Sequence, residues 1–317
     1  MHRRRAAPIR ATPLELPRII TRSTAEETGH TPYFFDSTPL AERSIYGAHE
    51  SASSSETVLV PEWVDDGWIE TYRRARQLAA VHPAAVFCSL TAAELYGLPL
   101  PARHRGGALH VLTRATGNRT RMRNTIGHRS DRLLARSVHD LQLNHPAYVL
   151  LELAGLLDRW TLVRVCDAIV GGWNGPPMTT IDDLRAFVAT QHRYTGKRTL
   201  VDAAASARAD VDSPKETDVR LTIVRAGLPE PEVHPEIRLA SGHHVFPDLG
   251  YRRERVVLEY EGRHHRKKGQ WDYDIERYDD LRDIGYLVIR ITSTTPESTW
   301  LGKLERALET RQVVTDP

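Results

Sequence analysis

The chain has 317 residues, 40% apolar and 26% charged, which is enough apolar material for two domains of ordinary size and excludes wholesale disorder. Its net charge of +2 is too small to announce a polyanionic partner, and its two cysteines, Cys88 and Cys166, exclude a disulfide framework or a cysteine-rich zinc site. No apolar leader follows the basic Met1–Arg5, and the longest apolar run, 148–157, contains Glu152 and is too short for a bilayer, so the expectation is a soluble, cytoplasmic protein.

Residues 1–57 are rich in Pro, Ser and Thr, and the run Ser51 to Glu56 reads as a flexible segment. Within that segment 19–31 has the makings of one short helix, with Ser23 or Thr24 as cap and Gly29 at its end. From Val58 to about Ala209 the pattern is mainly helical. Trp68, Tyr72, Ala75, Leu78 and Ala79 recur at helical spacing, Thr91 to Glu94 reads as a capping box, and Pro146 opens a helix carrying Leu150, Leu151, Leu153 and Leu157. Residues 162–170 and 181–188 read as further helices, and Leu109–Thr113 as a strand. The Ala- and Asp-rich stretch 201–212 reads as the linker to a second domain over 213–312.

That domain opens with Ser213-Pro214-Lys215-Glu216, a second capping signature that gives Glu216 a structural job beside any catalytic one. Strands follow near 236–240, 243–250 and 255–261, then a helix over 270–284, a strand over 286–291 and a last helix over 296–310. The order predicts an α/β sandwich with a small mixed sheet, so the whole chain is expected to be mixed α+β. Side chains alternate across a strand, which puts Glu259 and Glu261 on one face with Tyr260 opposite. If Asp248 pairs across the turn, three carboxylates meet in one volume, where mutual repulsion calls for a cation; Mg²⁺ or Mn²⁺ suits oxygen ligands. The alternative is a solvated strand face.

The ordered pattern S-P-x-E at 213–216, Pro247-Asp248, V-x-L-E-x-E-G at 256–262 followed by His264 and His265, D-x-x-R ending at Arg277, and G-Y-x-V-I-R at 285–290 resembles a restriction-endonuclease-like family of unknown function. That family is related to the very-short-patch-repair endonucleases and, more distantly, to the PD-(D/E)XK nucleases. Residues 58–209, through SLTAAELYGLPLP at 89–101 and HPAYVLLELAG at 145–155, are similar to AbiEi-type antitoxins, a likeness that assigns a degenerate winged helix to 1–57. The resemblance implies hydrolysis of DNA phosphodiesters in a phage-defence or toxin–antitoxin setting, with Asp248, Glu259 and Glu261 holding Mg²⁺ or Mn²⁺ and His264 assisting proton transfer. Glu261 stands where such nucleases most often carry Lys. Arg263, His265, Arg266, Lys267, Lys268 and Arg277 would hold backbone phosphates, although Arg277 also sits one turn after Asp274, where an ion pair within the helix would explain it. Nine Arg against one acid between 101 and 136, among them Arg119, Arg121 and Arg123, read as a nucleic-acid surface. Two partners fit, DNA and a cognate toxin or defence protein. The alternative function is a catalytically inactive DNA-binding protein, an antitoxin-like transcriptional regulator.

Overall fold

The structure, a computed structural model, describes residues 10–25, 45–118, 120–261 and 277–312. They form a mixed α+β fold, and the chain divides into two compact units between Ala207 and Arg208, inside the stretch read as a linker.

The first unit begins with two long antiparallel strands, β1 (Ala11–Thr21) and β2 (Ala48–Pro61). This corrects the reading of Ser51 to Glu56 as flexible and of 19–25 as helical, while 26–44, on which the rest of that helix and a degenerate winged helix would depend, lie outside the described residues. The strand signal is the alternation Leu14, Leu16, then Ile20 after a register shift, which Pro13 and Pro17 mask. The Ser-rich run forms that irregularity, where Ser51 Oγ accepts from the backbone N–H groups of Ser53 (3.2 Å) and Ser54 (3.0 Å). Helix α1 (Asp66–Val81) packs against the ribbon, and its Arg73 and Arg76 pair with Glu50 and Glu56 of β2.

A five-stranded sheet forms the middle of this unit, in the order β5–β4–β3–β7–β6. Its strands are β3 (Val86–Phe87), β4 (Leu109–Thr113), β5 (Thr125–Arg129), β6 (Ala135–Val138) and β7 (Leu141–Asn144). Only β4 was legible. Strand β3 is two residues long, and β5 and β6 are half-exposed edges with no apolar alternation.

Helix α2 (Ser89–Leu95) starts two residues before the expected capping box. Thr91 instead accepts from His110 N at 2.9 Å, and Glu94 accepts from Thr71 Oγ1 at 3.1 Å and Arg105 Nε at 3.0 Å. Helices α3 (Pro146–Leu153), α4 (Arg159–Val170), α5 (Ile181–Thr190) and α6 (Lys197–Ser206) complete the unit. Helix α6 takes up half of the expected linker: its alanines are helix formers, with Leu200, Ala203 and Ala204 buried. Half-buried Glu152 of α3 accepts from Ser89 N at 2.7 Å and Asn144 Nδ2 at 2.8 Å, joining the segments 89–101 and 145–155.

Gly196 caps α6 at φ +79°, and a Cβ there would lie 1.9 Å from the Ala154 carbonyl oxygen. Left-handed strain and a clash with backbone both follow, so Gly196→Ala is expected to lose about 3 kcal/mol, read as a lower urea midpoint.

The second unit has three layers around a four-stranded sheet ordered β13–β12–β11–β8. Helix α7 (Pro214–Arg225) precedes β8 (Glu232–Val233), a ribbon of β9 (Ile237–Arg238) and β10 (His244–Val245), β11 (Leu249–Tyr251) and β12 (Val256–Glu261). Helical residues 277–283 (α8), β13 (Leu287–Thr292) and α9 (Glu297–Gln312) follow. Strands β12 and β13 are parallel and the other pairs antiparallel. Val256 and Leu258 face Val219 and Ile223 of α7 and Trp300 and Leu304 of α9. Val257 faces the other way, toward Leu281 of α8 and Ile237 and Val245 of the ribbon. Among the described residues, no helix is long and apolar enough to cross a membrane.

Candidate metal centre

Three segments of the second unit converge at the end of its sheet. The first is the start of α7. Ser213, the N-cap, accepts from Glu216 N at 3.2 Å and donates its hydroxyl to Glu216 Oε1 at 2.8 Å. Asp212 N donates to Glu216 Oε2 at 2.9 Å. The capping box therefore fixes a buried carboxylate in one orientation. The second is His234, just after β8, held at φ +44° with its N–H donating to the Asp248 carbonyl at 3.1 Å. A non-glycine residue there is strained, and such strain collects at functional sites. The third is Asp248, just before β11, whose Oδ2 accepts from Tyr260 N at 2.7 Å.

One ligand atom from each of Glu216, His234 and Asp248 lies within 4.8 Å of the other two. Ligand atoms about 2.0–2.2 Å from a common ion stand at most roughly 4.4 Å apart, so a small contraction would close this set on one ion. His234 Nε2 is 3.3 Å from Glu216 Oε2 and 3.8 Å from Asp212 Oδ2. Burial, then the charge of Glu216, pushes the Asp248 carboxyl up to about 6, against the Tyr260 N–H, His234 and Arg277. Burial pulls His234 down, but its bond to Glu216 and the charges of Asp212, Glu216 and Asp248 outweigh it and leave the imidazole above its ordinary value. A buried carboxylate whose charge is this costly, close to a second one, fits a divalent cation. The imidazole nitrogen favours Mn²⁺ over the harder Mg²⁺.

The expected trio is thus gathered differently. Asp248 joins Glu216, which the sequence offered for catalysis, and His234, which it did not single out. Glu259 and Glu261 do lie on one strand, but arginines on neighbouring elements hold them. Arg277 Nη2 stands 3.0 Å from Glu259 Oε1, and Arg290 pairs with Glu261. Among the described residues, neither acid enters a three-ligand group. Among the described residues Arg277 pairs with a strand acid, while Asp274, the expected partner on its own helix, lies outside them. Arg263, His264, His265, Arg266, Lys267 and Lys268 lie outside the described residues, as do Arg119 and Asp274.

The Arg-rich segment of the first unit is not one surface. Arg121, Arg123 and Arg129 are exposed on or before β5, at one edge of the five-stranded sheet, and Arg114 follows the neighbouring β4. Arg136 lies on β6, the opposite edge. Arg105 is taken up by Asp65 at 2.6 and 2.7 Å and by Glu94, and Arg132 by the His192 carbonyl and the Tyr194 ring. Comparison with protein-family models, curated proteins and solved structures found no match to the chain.

Proposed function

We propose that the chain is a cytoplasmic nuclease of the restriction-endonuclease-like kind, dependent on Mn²⁺ or Mg²⁺, that hydrolyses DNA phosphodiesters in a phage-defence or mobile-element setting. The observation that carries this reading is the Glu216–His234–Asp248 cluster, two carboxylates and an imidazole from three separate segments of one unit. The order helix, strands, helix, strand, helix around a mixed sheet supports it, as does the resemblance over 213–290. When bound, a divalent ion supplies Lewis acidity toward a phosphoryl oxygen. Glu216 and Asp248 would hold it through oxygen, and His234 through Nε2. Tyr260 N–H and the capping box hold the two carboxylates in place. Arg277 and Arg290, paired with the β12 acids, would stand in for the positive charge missing at position 261 if a phosphate replaced a carboxylate as partner.

One observation favours a second reading, an inactive DNA-binding regulator: the β12 acids already carry internal counter-cations. A plasmid-nicking assay with Mn²⁺, Mg²⁺ or EDTA, run beside a metal-free gel shift, separates the two. The nuclease nicks with metal and stops with EDTA. A binder nicks under no condition and shifts DNA without metal. If Arg121 and Arg123 contact duplex phosphates, reversing either charge weakens the shift and lowers the slope of log K against log salt by about 0.9.

A further inference from the structure

The first unit holds a pocket of about 210 Å³ that the proposed metal chemistry does not use. The run 89–101 supplies much of its wall, with Glu94 from α2 and the turn Gly97 to Leu100. The approach to α1 supplies Trp63, Asp65 and Trp68. The two indoles stand edge to face, 6.0 Å apart at 80°. Trp68 is fixed by stacking on Tyr72 and by donating from Nε1 to the Leu95 carbonyl at 3.3 Å. Gly97 has φ +71°, and a Cβ there would come within 2.6 Å of both Trp63 and Asn174. The indole and the amide therefore close down on bare backbone.

The polar groups of this wall are mostly acceptors. Asn174 donates from Nδ2 to the Gly97 carbonyl at 2.7 Å, which leaves its Oδ1 to accept. Asp65 and Glu94 are carboxylates, and Arg105 is the one cation among the lining residues. Both acids are tied to it: Asp65 accepts from its two Nη atoms at 2.6 and 2.7 Å, and Glu94 from its Nε at 3.0 Å. The bond from Arg105 holds the Asp65 carboxyl down to about 2, against partial burial. Two acids against one guanidinium leave the lining one negative charge in excess. An anion would be repelled by that charge and would find the Arg105 fork already closed on Asp65. A cation would meet the charge, an amide acceptor and an indole face at once, and Trp is the best ring for a cation. The volume is below the roughly 300–1,000 Å³ of sites for drug-sized ligands, so it suits the head of a small molecule.

We propose that this pocket binds a primary alkylammonium group, presented by a free small amine or by a lysine side chain, with the Trp63 ring against its stem and the Asn174 amide and the Asp65–Glu94 carboxylates accepting from its N–H groups. The inference goes beyond the nuclease reading and does not depend on it.

The test is an NMR titration of the full chain, ¹⁵N-labelled at tryptophan, followed at the indole N–H resonances, with Trp63→Phe identifying that of Trp63. The probes are butylammonium, Nα-acetyl-lysine methylamide and, as the uncharged counterpart of the first, butanol. The Trp63 resonance should shift with both ammonium probes, and butylammonium should bind about tenfold tighter than butanol. Tighter binding of the lysine derivative assigns the pocket to a protein side chain, and tighter binding of butylammonium assigns it to a free amine. Asp65→Asn can still cap α1 through its amide oxygen, which takes over the bond from Trp68 N. It cancels the excess charge, so it should weaken butylammonium about tenfold and leave the butanol response unchanged. Leu100→Trp, a second variant in case Asp65→Asn fails to fold, fills the pocket and should abolish the response to every probe. Equal affinity for butylammonium and butanol, full ammonium affinity in Asp65→Asn, a response that survives Leu100→Trp, or no shift from either ammonium probe overturns the proposal. The nicking assay judges the nuclease reading separately.

Discussion

Asp248→Asn is expected to abolish metal-dependent nicking and, at the same time, to make the metal-free protein more stable at pH 7. The amide oxygen can still accept from Tyr260 N, so the backbone around β11 keeps its bond. The lost carboxylate is one of the three groups offered to the ion, and the nicking rate should fall about 10³-fold, the equivalent of about 4 kcal/mol. The stability gain comes from the raised carboxyl, near 6 in the folded chain against 3.8 for the free side chain. The folded state binds that proton more tightly than the unfolded state does. Its contribution is therefore complete below about pH 4 and lost as pH rises through about 6. Asn escapes that loss, which two pH units place at about 2–3 kcal/mol by pH 7. Urea melts at pH 4.5 and pH 7 should show the variant's advantage growing with pH. Saturating Mn²⁺ should reverse the order, because only the wild type gains binding free energy. A variant that nicks normally, or one less stable than wild type at pH 7 without metal, would remove Asp248 from the site.

Much of the second unit was legible because its signals are local, although β8 was not foreseen and the strand expected over 243–250 divides into β10 and β11, which lie in different sheets. The run Val256 to Glu261 announces a strand, and Ser213 to Glu216 announces a helix start that also delivers a site residue. Two of the three candidate ligands could be read in the same way, since Asp248 and Glu216 stand at element boundaries. His234 could not. It lies in a Pro-flanked connection, and only the bond from its N–H to the Asp248 carbonyl shows where it goes. The pairing of Glu259 with Arg277 was equally hidden, because the competing candidate, Asp274, was one helical turn away in sequence. In the first unit the misreadings share a cause. Proline in β1 and serine in β2 look like linker when an isolated ribbon is scanned by composition, and the alanines of α6 look like linker when their packing is unknown. The five-stranded sheet is built from strands of two to five residues whose burial comes from neighbours distant in sequence, which no local period records.

Glu230→Ala should destabilise the second unit more than any other single surface change, and should weaken the metal site without touching a ligand. Arg220, only 1% exposed, lies on α7 one turn after Glu216 and donates from Nη1 to Glu230 Oε1 at 2.7 Å. Glu230 also pairs with Arg208 at 2.6 Å. Removing the carboxylate takes a described partner from a buried guanidinium, a change that costs about 3–5 kcal/mol in comparable pairs. The helix that bears this charge also buries Val219 and Ile223 against the sheet and fixes Glu216 by its capping box. Any retreat of Arg220 toward water therefore loosens the end of α7 that carries Glu216, and Mn²⁺ affinity should fall with stability. Arg220→Met in the same chain separates charge from packing, because an apolar side chain of similar length has no ion to strand. The double variant Arg220→Met, Glu230→Ala should recover most of both losses, giving a coupling energy of about 2 kcal/mol in a double-mutant cycle. If the double variant is as unstable as the sum of its parts, Arg220 is held by packing alone, and the link from this ion pair to Glu216 is broken.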